Sequence, residues 1–343
     1  MRTLTLAALA LLIALPASAA PGARAKTKNT NGWIESMAMD GPRVAYAARA
    51  GAGGCTKVVV WNVLTGSAAV ASGRATCGAD STSTGGGVTE IAIAGTRLAW
   101  VVNQGGNTES SDSLYTSSLP ASRERLLVST VRTGDVDGTL TGGWIGGLVG
   151  GGDRIAVNRW TSDEGGAVAT GTLQRIGTRL VTVSAGLATL HAQALDHRRV
   201  AVLRATGEIG VYDVDSGGLY VSVKPTSARQ VGLRKDSLVV LTRTKTLEIY
   251  DSHTGAFVRR WPVTAGASRL DVHSGIAVYA VGRSVHALRM SDGRDVVLVT
   301  APRAIEALAI EAAGVVYAYN TVKGIKDVGN LAFVPLAKVN ALL

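Results

Sequence analysis

Short apolar runs recur along the whole of this chain, each ended by a cluster of Gly, Asp, Ser, Thr or Pro. After residue 20 no stretch keeps a sustained i, i+3, i+4 apolar spacing, so the pattern predicts strands joined by turns and not helices. One kind of run follows a turn, as in GPRVAYAA, GTRLAWVV, GDRIAVNR, HRRVAVLR, KDSLVVLT, HSGIAVYA and AAGVVYAY. Its apolar anchors are Val44, Leu98, Ile155, Val200, Leu238, Ile276 and Val315, at intervals of 54, 57, 45, 38, 38 and 39 residues. A shorter apolar run precedes each anchor, for example IESMAM, VTEIAI and IEALAI.

A second kind of run comes after each anchor and reads as a hairpin. It is VVVWNVLTGSAAV in the first unit, then VYDVDSGGLYVSV, IYDSHTGAFVRRWPV and ALRMSDGRDVVLV in later ones, with Gly217, Gly255 and Gly293 spaced by 38. LAFVPLAKVNALL at the C-terminus is a weaker copy. Each unit therefore holds four strands, and the residues Asp-Ser-Gly, His-Thr-Gly and Ser-Asp-Gly are turn chemistry between the third and fourth. One four-stranded sheet cannot cover both of its faces, whereas stacking seven radially does, so the expected fold is an all-β seven-bladed β-propeller over residues 32–343. A pair of β-sandwiches would not account for the 38-residue phasing. All four strands of every unit are accounted for between Trp33 and Leu343. That leaves none over to interlock the ring; the segment PGARAKTKNTN could add one, but it is polar, and residues 20–31 are expected to be a flexible tail.

The motif Val-Tyr-Asp-x-x-Ser-Gly at 211–217, with Ile-Tyr-Asp-x-x-Thr-Gly at 249–255 and Val-Trp-Asn-x-x-Thr-Gly at 60–66, resembles WD40-like and quinoprotein-like propeller repeats. The resemblance covers the chain after the leader as architecture and implies a fold, with no activity attached. The Gly-His and Trp-Asp pairs of true WD40 repeats are missing. So are the larger Trp-rich blades and calcium-binding carboxylates of quinone enzymes, and no cofactor is expected.

The first residues, MRTLTLAALALLIALPASAA, combine a positive start, an apolar core from Leu4 to Leu15 and a small-x-small site at Ala17-Ser18-Ala19. They read as a signal peptide over 1–19, with a buried N-terminal element as the alternative. The mature protein is then secreted or periplasmic, and no later run is apolar for long enough to suggest a transmembrane helix. Export permits a disulfide. Folding the hairpin TKVVVWNVLTGSAAVASGRAT about Thr65-Gly66 brings Cys55 and Cys77 opposite each other, and a bond between them is expected over two free thiols. The formal charge is +10, but the 35 Lys and Arg residues form no run longer than Arg198-Arg199 or Arg259-Arg260. Without a basic helix or regular aromatic interleaving, this points to solvated arginines or loose attraction to acidic surface polymers, and away from nucleic acid.

The register also sorts the loops. Connections between second and third strands share one end of the axis with those between units. They are short in units four to six. They are long in units seven, one, two and three, as in YNTVKGIKDVGN, NQGGNTESSDS, STVRTGDVDGTLTGG and NRWTSDEGGA. This wall carries Glu109, Asp112, Asp135, Asp137, Asp163 and Glu164, with Trp160 as a candidate stacking platform or the end of a buried strand. Asp135-Val136-Asp137-Gly138 begins like a calcium loop but lacks the closing bidentate Glu, so no metal is expected. At the axis, the position nine residues before the anchors reads Glu35, Thr89, Gly146, His191, Arg229 and Glu306, with Ser268 in unit six. His191 with Glu35 or Glu306 is a possible acid/base pair, and hydration of a channel mouth is the plainer reading. The glycines of GGWIGGLVGGGD suit close packing of inner strands, since no phosphate-loop Lys-Ser/Thr follows. The candidate binding residues are thus Trp160, Asp112, Asp135, Asp137, Asp163, Glu35, His191, Arg229 and Glu306, with no catalytic residue assigned. The expected function is a monomeric, exported, non-catalytic propeller that binds a protein, peptide or glycan through its long-loop face. A secreted lyase or glycoside hydrolase acting at the channel mouth is the alternative.

Overall fold

The computed structural model describes residues 26–49, 56–72, 85–106, 109–120, 123–134, 140–162, 168–185, 190–324 and 326–343. Among these residues the chain forms strands β1 to β28, numbered in chain order, and one helix, α1 (Leu336–Leu342). The first strands of successive units are β2 (Ile34–Asp40), β6 (Gly85–Ala94), β10 (Leu140–Gly151), β14 (Leu190–Asp196), β18 (Ala228–Arg234), β22 (Ala267–His273) and β26 (Ile305–Glu311). Each packs on the next, and β26 packs back on β2, closing a ring around a central channel. The anchors stand one strand further out, and all seven are buried, six of them completely.

The architecture is an all-β propeller with four-stranded antiparallel blades. The strands within 34–70, 190–223, 228–262 and 267–300 each form such a sheet in chain order. Strands β6 to β13, within 85–185, form one eight-stranded sheet. Its two halves join where β9 (Arg125–Gly134) pairs with β10 at Leu140↔Gly134, Thr141↔Thr133 and Gly142↔Arg132. The apolar core lies between neighbouring sheets. Ala201, Ile209 and Val211 of one sheet, for example, pack on Val231, Leu238 and Val240 of the next.

The last sheet has the order β1–β28–β27–β26. Lys26–Asn31, expected to lie in a flexible tail, is strand β1 and pairs along its length with β28 (Lys326–Pro335). The C-terminal segment also differs from expectation. β28 is the third strand of this sheet, and the residues read as its fourth strand fold instead into α1, with Val339 buried. Pro335 fits the start of a helix because it needs no N–H partner there. With no C-terminal fourth strand to cover β28, its edge is open to a strand from the N-terminus. The six polar residues of β1 satisfy it by backbone hydrogen bonding, for which side-chain hydrophobicity is not required.

At every step round the ring, a side-chain oxygen of one inner region accepts a backbone N–H of the next. Asp40 takes Gly95 N (3.1 Å), Glu90 takes Gly147 N (3.1 Å) and Leu148 N (2.6 Å), and Asn158 takes Ala192 N (2.5 Å). Asp196 takes Lys235 N (2.7 Å), Gln230 takes Leu270 N (3.0 Å), Asp271 takes Ile310 N (2.8 Å) and Asn320 takes Ile34 N (2.9 Å). The inner strands also approach closely where glycine allows it. A Cβ at Gly150 would lie 2.6 Å from Ile93 O, and one at Gly151 only 2.0 Å from Leu195 O, so the glycine-rich stretch serves inner-strand packing as expected.

The repeated turn motif has an equally local cause. Asp213 Oδ1 accepts from Asp215 N and Ser216 N, Asp251 Oδ1 from His253 N and Thr254 N, and Asn62 Oδ1 from Leu64 N and Thr65 N. These are Asx turns. The glycine that follows has φ of +81° at Gly66, +79° at Gly217 and +73° at Gly255.

Candidate binding cleft at the channel mouth

Four inner strands carry a β-bulge near their start, between Ile34 and Ser36, Val88 and Glu90, Ala228 and Gln230, and Ile305 and Ala307. Glu35, Thr89, Arg229 and Glu306 are therefore the extra residues of bulges, left out of the ladder so that their side chains can be re-aimed. In β10, β14 and β22 the irregularity falls later, at 146–149, 192–194 and 268–271. Gly146, His191 and Ser268 consequently remain paired and are not equivalent to the other four.

Between the first, second and last units this mouth opens into a cleft of about 770 Å³. Trp33, Glu35, Thr89, Asn103, Glu306 and Asn320 contribute to its lining. Trp33 is 47% exposed. Thr56 Oγ1 donates to Glu35 Oε2 at 3.3 Å, and Gly87 leaves room for that carboxylate, which lies 2.7 Å from where a Cβ would be. Asn320 is clamped to the Ile34 backbone through both its amide oxygen and its amide nitrogen. The Glu306 carboxylate lies 3.9 Å from Arg269 at an exposed position. The site thus offers an indole face and two carboxylates at the end of the channel where the inner strands begin, with the Asn103 and Asn320 amides engaged by Asp112 and the Ile34 backbone.

The long connections at this end are largely regular structure. β7 (Arg97–Gly105) and β8 (Glu109–Ser118) stay paired out to Gly105↔Ser110. β11 (Arg154–Ser162) and β12 (Val168–Ile176) stay paired out to Ser162↔Val168, and β27 (Gly314–Lys323) and β28 out to Lys323↔Lys326. The expected loops are thus mostly projecting hairpins, because their Thr, Ser, Val and Tyr residues suit exposed strands.

Asp112 is not a free acid in this wall. It is buried, its two oxygens taking Arg132 Nη1 (2.7 Å) and Nη2 (3.1 Å), Asn103 Nδ2 (2.8 Å) and Ile145 N (3.1 Å). That network ties the two halves of the eight-stranded sheet together and leaves little capacity for a ligand. Trp160 is half-buried and edge-on to His191, with ring centroids 5.1 Å apart, and its ring covers Gly146. Burial pushes the His191 pKa down. His191 is absent from the cleft lining, so Glu35 and Glu306 come together there without the histidine. Arg229 is exposed and donates to Ala267 O at 3.0 Å. Glu109 is exposed, whereas Asp135, Asp137, Asp163, Glu164, Cys55 and Cys77 lie outside the described residues.

Trp33, Asn103, Asn320 and the channel residue Glu90 were not among the candidates from sequence. Register held a signal for two of them, since Asn103 and Asn320 each stand five residues after an anchor, Leu98 and Val315. Glu90 is half-buried in the channel wall, and desolvation there raises its pKa against the opposing pull of two backbone N–H groups. Among the described residues no three His, Cys, Asp or Glu side chains gather as a metal would require, and no helix is long and apolar enough to cross a membrane.

No family model matches the chain, and no curated protein is similar to it in sequence. Solved structures do match in fold. A chain of the mitotic checkpoint complex aligns at a TM-score of 0.56 with 14% identity, over 97% of this chain and all of that one. The WD40 β-propeller domain of Doa1 aligns at 0.54 with 12% identity, over 91% and 97%. Saccharomyces cerevisiae Sqt1 aligns at 0.52 with 10% identity, over 91% and 98%. The chain has the WD40-like β-propeller fold, and at these identities the likeness extends to the fold alone.

Proposed function

We propose that this is an exported, non-catalytic β-propeller of seven blades that binds a protein, peptide or glycan at the face carrying the projecting hairpins. The blade count is supported by the closed ring of first strands, with the eight-stranded sheet taken as two blades fused through the β9–β10 extension. Export is supported by the leader-like residues 1–19. The observation that carries the binding reading is the cleft at the channel mouth, where exposed Trp33 stands beside Glu35 and Glu306 at the same end as the hairpins. An indole flanked by carboxylates suits stacking on a sugar or peptide group together with hydrogen bonds to its polar edge. The WD40-like fold is common among protein-interaction domains, which favours a binding role.

A screen of glycans and exported proteins for binding, followed by titration of Trp33→Ala, tests the reading. Loss of stacking should weaken a ligand by on the order of 1 kcal/mol, several-fold in Kd. Two carboxylates in one cleft also keep glycoside hydrolysis as a second reading. Glu35→Gln with Glu306→Gln separates the two, since abolished turnover would mark an enzyme, whereas binding without any turnover in the wild type marks a module.

A further inference from the structure

The sequence shows its cations as dispersed, but the fold gathers a set of them. In the sheets within 190–223, 228–262 and 267–300, second strands end and first strands begin at the same end of the propeller as the cleft. The connections and strand starts at that end carry Lys224, Arg229, Arg243, Lys245, Arg269, Arg283 and Arg303, all exposed. Two carboxylates face them there. Glu208 is taken up by Arg204 (3.1 Å) and Ser222, and Glu306 is 3.9 Å from Arg269. Among the described residues no carboxylate lies within ion-pair distance of Lys224, Arg229, Arg243, Lys245, Arg283 or Arg303. Some cations elsewhere are paired, as Arg154 and Arg198 are with Asp215 and Arg289 is with Asp292, whereas others such as Lys57, Arg125 and Lys338 stand singly among the described residues. Seven exposed cations thus gather on one arc beside the short connections, and six of them have no carboxylate within ion-pair distance among the described residues.

We propose that this arc is a binding surface for an anionic polysaccharide, a linear chain bearing carboxylate or sulfate groups that crosses three adjacent blades. The residue types favour this occupant. Five arginines offer paired donors that match a carboxylate or sulfate, and unpaired cations on a rigid rim need no carboxylate to be displaced on binding. The arc has no aromatic residue in these connections on which bases could stack, which weighs against single-stranded nucleic acid. If the protein is exported as proposed above, it would meet envelope and extracellular polymers. The surface adjoins the Trp33 cleft through the Arg269–Glu306 pair, but none of its cations lines that cleft.

The test uses the purified full-length mature protein with polygalacturonate and heparin as probes, and dextran, oligo-dT and polyglutamate as comparators. Binding is measured as a function of salt. Wild type should bind polygalacturonate or heparin with affinity that falls as salt rises, and should not bind dextran. The triple variant Arg243→Glu, Arg283→Glu, Arg303→Glu changes exposed turn side chains and should lose about tenfold or more at low ionic strength and flatten the salt dependence. A control with Arg294→Glu and Lys338→Glu, exposed on other parts of the surface, should lose much less. Circular dichroism of each variant verifies its fold. Equal losses in both variants, no binding to either anionic polysaccharide, or binding to oligo-dT or polyglutamate as tight as to the polysaccharides would each overturn the assignment.

Discussion

A methyl group added at Gly151 would sit 2.0 Å from the carbonyl oxygen of Leu195 in the next inner strand. Nothing flexible is available to move, so the ring must expand locally, and Gly151→Ala should destabilise by about 1–3 kcal/mol or more. Gly41→Ala is the informative comparison, because its φ of +56° brings strain but no atom lies within 4 Å of the new Cβ. Urea unfolding should rank Gly151→Ala as the more damaging; equal costs would mean that backbone conformation, not inner-strand contact, governs these glycines. Asp271 is the other informative residue. Inside the channel, burial pushes its pKa up from 3.8 to about 6, with Glu311 adding to the rise and backbone N–H groups and Arg234 opposing it. A raised carboxyl pKa means that the fold holds the proton more tightly than the unfolded chain does. The resulting stabilisation is present at low pH and is lost as pH rises through about 6. Asp271→Asn cannot ionise, so its stability relative to wild type should increase between about pH 4 and pH 7, by at most roughly 3 kcal/mol. Melting temperatures of both proteins across that range check this, and a constant difference would refute it.

At the scale of elements, β1 closes the ring with a strand that has no apolar side chain. Its anchorage is the ladder to β28 and the fit at Gly329, where a Cβ would meet Thr30 Oγ1 at 2.5 Å, Gly32 O at 2.7 Å and Ile34 Cγ1 at 2.8 Å. Deleting residues 20–31 from the mature protein leaves β28 as an open edge, which should lower Tm by roughly 4 °C or more and promote self-association. Calorimetry and size-exclusion chromatography would show it, and an unchanged Tm would mean that closure rests on side-chain packing alone. A second element-level prediction concerns the first unit's outer hairpin, where Cys55 and Cys77 flank Thr65-Gly66 symmetrically. Their bond should appear in non-reduced peptide mass spectra of exported protein and contribute roughly 3 kcal/mol; free thiols would contradict it. Other elements were legible or illegible for definite reasons. The anchors were found because a buried central strand must be apolar and because the units repeat. β1 was missed because KTKNTN has a strand's backbone role without its apolar signature. α1 was missed because seven residues hold too few apolar positions to separate helical from strand spacing, and the projecting hairpins were missed because polar strand tips read as loops.

At the scale of the whole molecule, what the sequence withheld was proximity. Register correctly put Glu35, Thr89, Arg229 and Glu306 in equivalent places, and the bulges explain why. It could not show that the bulges of β10, β14 and β22 are displaced, that His191 stands outside the cleft lined by the two glutamates, or that Asp112 is consumed by Arg132. Nor could it show that arginines far apart in the chain share one arc. The resulting face has projecting hairpins and an acidic, aromatic cleft on one side and an arc of exposed cations beside short connections on the other. Hydrogen–deuterium exchange with and without the tightest ligand from the glycan and exported-protein screen tests this account most directly. Ligand should slow exchange in peptides covering 31–36, 97–118 and 314–335, around the Trp33 cleft and its hairpins. Protection confined to the opposite end, in the turns at 41–42, 196–199, 235–236 and 274–275, would contradict it.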